Sequence, residues 1–235
     1  MGRTEPIPRA VLQATSDDAG LEGPLYAVNL LDRRRPWAYD LYNVLAAPVA
    51  LRVGARPMMK GVDGECWFGE ASLGRETLLV VGYDEADAFL RMVRNPYFAW
   101  ISMLRKVSFA GFEFGFCRRL DDGMLPPKRP RRRKGELLAL LWPEGQHDSE
   151  VPGPNLTALQ RRVSAAGSRI VFYGEKKAIL ALDRGSEKGI SPTRLAPPLP
   201  WSSVVVVAGH RHTLRPLSTE PLPGMSLAIH YRQVF

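Results

Sequence analysis

Polar groups set inside apolar strands are the places where this sequence offers chemistry. Asn29 and Glu113 interrupt runs that are otherwise hydrophobic, and a buried amide or carboxyl group must find a partner. Arg105 is a cation able to reach one of them. Together Asn29, Arg105 and Glu113 read as the polar handles of a pocket, with Met58, Trp67, Trp100 and Phe112 as its apolar lining. In such a pocket Arg105 or Asn29 would polarise a carbonyl or enolate, and Glu113 or a histidine would move a proton, with no cofactor. The alternative reading of the three polar residues is a structural hydrogen bond and an exposed sheet edge.

A second constellation is histidine-based. All four histidines, His147, His210, His212 and His230, lie in the second half. His210-Arg211-His212, read as a strand, puts two rings on one side, and His230 would complete a three-nitrogen metal site with one open position. No carboxylate or cysteine stands at a supporting spacing, so solvated or hydrogen-bonded histidines are the competing reading. Cys66 and Cys117 each sit in a predicted strand, where a small buried hydrophobe is the ordinary role and a Cys-His nucleophile the weaker one. Two cysteines make neither a disulfide framework nor a zinc spacing, which points to a reducing compartment.

The chain of 235 residues carries a formal charge of +8, and Lys128, Arg129, Arg131, Arg132, Arg133 and Lys134 supply six of those charges; subtracting them leaves +2 for the rest. Basicity is thus a property of one proline-containing connector, which reads either as a solvated linker or as a contact for nucleic acid or an acidic partner through counterion release. No aromatic residue is interleaved within it to stack on bases. Hydrophobic content of 45% fits a globular fold. Residues 1–20 lack the apolar core of a signal peptide, Pro6 stands where a myristoylation site needs Ser or Thr, and no run reaches the roughly 20 apolar residues of a spanning helix. The expectation is a cytoplasmic protein with no membrane partner.

These residues need elements to position them. An arm over 1–22 precedes a strand at Leu25 to Leu31, and Pro36 then opens a helix whose Trp37, Leu41, Val44, Leu45 and Pro48 recur at helical spacing. A bent strand or hairpin around Asp63-Gly64, a strand from Glu76 to Tyr83, a helix capped by Asp84 and interrupted at Asn95-Pro96, and a strand with Phe112, Phe114 and Phe116 follow. The order is βαββαβ. It begins again at Glu136 to Trp142, with a helix near Leu156 to Ala166, a hairpin from Arg169 to Leu182, a Pro-rich insertion, the Val204–Val207 run, a helix cut short by Pro216, Pro221 and Pro223, and a strand from Ser226 to Gln233. Leu25–Val28 aligns with Leu138–Leu141, and Gly54-Ala55-Arg56 with Gly167-Ser168-Arg169, at one offset. A period this long predicts a duplicated domain sharing a cavity between its copies.

Residues 23–118 resemble the dimeric α+β barrel superfamily, in particular a bacterial branch of unknown function. The likeness rests on Gly23-Pro24, Asn29-Leu30-Leu31, Tyr39 and Tyr42, Val53-Gly54-Ala55, Val81-Gly82-Tyr83, Phe89–Val93 running to Asn95-Pro96-Tyr97, and Arg105. It implies an α+β fold of tandem ferredoxin-like βαββαβ units closing into a single-chain pseudodimeric barrel, with domains over 23–120 and 136–235 joined by a linker over 121–135. The superfamily includes cofactor-independent monooxygenases, isomerases, cyclases and haem enzymes, so the resemblance implies an architecture and not a reaction. The second half lacks the Asn-Leu-Leu and Pro-Tyr motifs. The expected function is binding of a small apolar or aromatic organic molecule between the two sheets, with an interaction protein or a histidine-ligated metal enzyme as alternatives.

Overall fold

The computed structural model of the protein describes residues 24–119, 135–143, 155–179 and 201–234. The expected arm over 1–22, most of the linker and the Pro-rich insertion lie outside the described residues. In the first half the order is β1 (Leu25–Arg33), α1 (Pro36–Arg52), β2 (Arg56–Phe68), β3 (Thr77–Tyr83), three helical segments α2 (Ala86–Arg94), α3 (Pro96–Ile101) and α4 (Met103–Ser108), and β4 (Phe109–Arg119). In the second it is β5 (Glu136–Trp142), α5 (Leu156–Ala165), β6 (Arg169–Ile179), β7 (Ser203–Gly209), α6 (Arg211–Thr219) and β8 (Leu227–Gln233).

The strands form a closed antiparallel barrel in the order β1-β3-β2-β8-β5-β7-β6-β4. The first half contributes β4-β1-β3-β2, and the second repeats that order as β8-β5-β7-β6. Two seams join them, β2 against β8 and β4 against β6. Closure leaves no free sheet edge, which removes the unpaired backbone groups an open sheet presents.

Strand alternation sorts side chains into two layers. Tyr26, Val28 and Leu30 of β1 enter the barrel core, while Leu25 and Ala27 pack under the first-half helices. In β7, Val204 and Val206 point inward and Val205 and Val207 outward, all four fully buried. Four successive β-branched residues suit a strand with a packed layer on each side. The barrel interior is occupied by side chains: Tyr26 meets Phe172 with centroids 5.7 Å apart, and Trp201 lies so close to Gly115 that an added Cβ would fall 2.7 Å from its ring. Arg75 is buried near Tyr231, its Nη1 donating to the carbonyls of Ser72, Leu73 and Gly74 and its Nε standing 3.8 Å from Asp32. Those partners offset the desolvation of the guanidinium.

Each half ends its first helix in the same way. Gly54 and Gly167 hold positive φ (85° and 69°), donating to the carbonyls of Leu51 and Ser164, while the next residues, Ala55 and Ser168, donate to Ala50 and Val163. This is the paired-bond C-terminal motif that favours glycine at the left-handed position. It recurs at equal spacing in both halves, immediately before β2 and β6.

Two local expectations change and one is narrowed. Of the bent strand or hairpin expected around Asp63-Gly64, the bent strand is what forms: an irregularity within the long strand β2, with Asp63 at φ 57° and the pairing to β8 shifted between Val62 and Glu65. Asp84 does not cap α2; its carboxylate accepts from Arg56 Nη2 at 2.9 Å. The largest change is in α1. Its Trp37, Leu41 and Val44, which the helical spacing marks as a core stripe, are exposed, and Ala38, Tyr39, Ala46 and Val49 are the buried residues. The helix is apolar on both sides, so periodicity does not identify the sheet-facing one. Among the described residues, no helix is long and apolar enough to cross a membrane.

Candidate functional site

The residues expected to line one pocket are not brought together where their side chains are described. Asn29 donates its side-chain amide to the carbonyls of Leu79 at 3.0 Å and Ala27 at 3.3 Å, and by strand parity it shares the helix-facing side with Ala27. Met58 instead packs against the barrel core, and Trp67 against the outer core of the second half. Trp100 lies on the surface of α3, 60% exposed. Arg105 belongs to α4, and Phe112 and Glu113 stand opposite Leu31 and Leu30 in the β1–β4 pairing; the side chains of these three are outside the described residues. The basic run Lys128, Arg129, Arg131, Arg132, Arg133 and Lys134 also lies outside them.

The histidine reading changes too. β7 ends at Gly209, so His210 is the N-cap of α6 and His212 lies in its first turn, both exposed. Their rings stack on each other with centroids 5.7 Å apart. His230 is in β8 and 4% exposed. Among the described residues, no group of three or more His, Cys, Asp or Glu could hold a metal ion. The strand spacing assumed for His210 and His212 fails because the chain turns into a helix between them.

What the fold assembles instead is a polar cluster on the outer face of the β2–β8 seam. Register sets Glu65 of β2 opposite His230 of β8, and Leu138 of β5 opposite His230 on the other side. Glu136, two residues before Leu138, thereby comes to the same face. His230 Nδ1 lies 4.0 Å from Glu65 Oε2, and its Nε2 lies 3.6 Å from Glu136 Oε1. Neither His230 Nε2 nor Glu136 Oε2, both buried, has a hydrogen-bond partner. Trp67 stacks on the imidazole, with centroids 4.1 Å apart and planes at 3°. From the start of α6, Arg211 donates to Glu65 at 2.7 Å, and the guanidiniums of Arg211 and Arg215 stand 5.3 and 4.8 Å from the Trp67 ring.

The electrostatics follow from this geometry. Burial pushes the His230 imidazole below the ordinary histidine value, outweighing the attraction of Glu136 and Glu65, so the ring is held neutral. Trp67 and Arg211 hold the Glu65 carboxyl below its ordinary value. A neutral imidazole between two carboxylates can accept a proton, because both carboxylates stabilise the imidazolium that results. The exposed guanidiniums of Arg211 and Arg215 beside an indole ring suit a carboxylate attached to an apolar body. Within the apolar stretch Leu227–Tyr231, His230 gives the same kind of signal as Asn29, a polar residue in a buried strand, but its neighbours come from β2, β5 and α6. Only the seam makes them neighbours.

The cysteines do not join this cluster as nucleophiles. Cys117 is fully buried in the barrel core, where burial pushes its thiol far up. Cys66 is partly exposed, donates to the Phe68 carbonyl at 3.3 Å, and is also raised by burial.

No family model matches the chain, and no curated protein matches it. Among solved structures, a protein of unknown function from Rhodopseudomonas palustris is 21% identical over 54% of this chain and 100% of its own, with a TM-score of 0.43. A candidate monooxygenase from Fusobacterium nucleatum is 9% identical over 90% of this chain and 92% of its own, with a TM-score of 0.47. The architecture rests on the strand pairing of this chain itself.

Proposed function

We propose that the protein is a single-chain pseudodimer of two ferredoxin-like units that binds a small organic acid at the outer face of the β2–β8 seam. The repeated strand order and the repeated glycine motif support the tandem reading. The carrying observation for the site is His230, 4% exposed, whose Nε2 makes no hydrogen bond of normal length and faces the Glu136 carboxylate at 3.6 Å. A buried imidazole and carboxylate held apart at that distance keep hydrogen-bonding capacity that a bound group could use. Arg211 and Arg215 would take the acid's carboxylate, Trp67 would contact its apolar body, and His230 would accept a proton from it, with Glu65 and Glu136 balancing the charge. The apolar packing of the described barrel interior favours this outer site over a chamber between the sheets.

The test is histidine-selective NMR of the full chain titrated with benzoate as a probe carboxylate. Saturable movement of the His230 ring resonances, abolished in Arg211→Ala with Arg215→Ala, supports the reading. Resonances of His230 that stay still while only the exposed His210 and His212 respond would overturn it.

A further inference from the structure

An all-apolar outer stripe runs the length of α1. Trp37, Leu41, Val44, Pro48 and Leu51 follow one another at three- and four-residue steps on the side away from the barrel, with Trp37 60% and Val44 69% exposed. A second row lies beside it on α3 and α4, made of Tyr97, Trp100, Met103 and Val107. The rows are continuous at both ends. Pro48, Val49 and Arg52 share a cleft with Asn95 and Tyr97, and the amides of Arg34 and Arg35 donate to the Ser108 carbonyl, which brings the end of α4 to the start of α1.

Two features say what covers this face. The first is area. At about 150–250 Å² per aromatic side chain, roughly half exposed, Trp37, Tyr97 and Trp100 alone present about 300 Å² of apolar surface, and Leu41, Val44, Pro48, Leu51, Met103 and Val107 add six more exposed side chains. The whole face is thereby above the ~300–600 Å² range of the largest patch on a typical monomer and on the order of the ~800 Å² that each partner contributes to a standard interface. The second is internal symmetry. About Val44, Trp37 and Leu51 stand seven residues away on either side, and Leu41 is balanced by Ala47 and Pro48. Such a stripe is self-complementary when two copies cross antiparallel, which is what a two-fold interface requires.

We infer that the outer face of α1 with α3 and α4 docks a second copy of this chain about a two-fold axis passing near Val44. The protein is then a homodimer of pseudodimers.

Sedimentation of the full chain over a wide range of concentrations tests this. A dimer with a dissociation constant of about 1 μM or tighter is expected. Val44→Asp should weaken it at least tenfold while circular dichroism and melting temperature of the monomer stay unchanged, since the side chain is exposed there. Trp100→Ser, also at an exposed position, should weaken it in the same direction. A wild-type chain that sediments as a monomer throughout, a dimer indifferent to Val44→Asp, or a monomer that dimerises only after removal of residues 1–23 would each overturn the inference. Seam-site binding of benzoate is measured separately, so either proposal can fail alone.

Discussion

Trp67, from the first half, lies face to face with His230, from the second, at 4.1 Å between centroids. The indole also carries the cations of Arg211 and Arg215, so one aromatic ring couples β2 to β8 and α6 across the seam. Trp67→Leu should destabilise the fold by about 1–2 kcal/mol through loss of the stacked and cation–π contacts. A double-mutant cycle with His230→Leu, read by denaturant unfolding, should return a coupling of about 0.5–1.5 kcal/mol. Additive effects would mean the stack contributes nothing beyond packing.

Acid should weaken the protein in two stages. Burial lowers the His230 pKa in the folded chain, so the unfolded chain binds a proton that the folded one refuses. Stability is therefore full above about pH 6.5 and declines as pH falls through that value. The Glu65 carboxyl, lowered by Trp67 and Arg211, adds a loss beneath the ordinary carboxylate range. Thermal melts from pH 8 to pH 2 should show both, and His230→Gln should remove the first while leaving the second.

The repeated helix endings should respond unequally to the same change. Gly167→Ala meets nothing within 4 Å, so its cost is the left-handed backbone alone, about 1–2 kcal/mol. Gly54→Ala adds a Cβ 3.3 Å from Asp84 Oδ2, whose partner is Arg56, and should cost more. Chemical denaturation of the two variants side by side checks the order.

The thiols should differ in reactivity. A maleimide reagent at neutral pH should modify Cys66 slowly and Cys117 only after unfolding, because one is partly exposed and the other fully buried with a strongly raised pKa. Rapid labelling of Cys117 in the native protein would contradict the packed interior.

Several features were readable from local order. The valine run demanded cover on two sides, the Gly54 and Gly167 turns were visible as matching triplets, and the repeated βαββαβ order appeared in the pattern of apolar runs. These depend on neighbours in sequence: alternation along a strand, a glycine where φ turns positive, a proline where a helix must begin or stop. The α1 stripe shows the limit. Its spacing is helical whichever side is buried; the sheet took the side bearing Ala38, Tyr39, Ala46 and Val49, while Trp37, Leu41 and Val44 face outward. The seam cluster marks the same boundary more sharply. Glu65, Glu136, Arg211 and His230 are distant along the chain and carry no shared motif; they meet because barrel closure pairs β2 with β8 and lays α6 over that joint. Local chemistry of the chain determined the elements and their two-fold repetition. Which faces met, and therefore where charge, imidazole and indole converge, was decided by long-range strand pairing, since a register between remote strands is set by the packing of the whole barrel and not by any one segment.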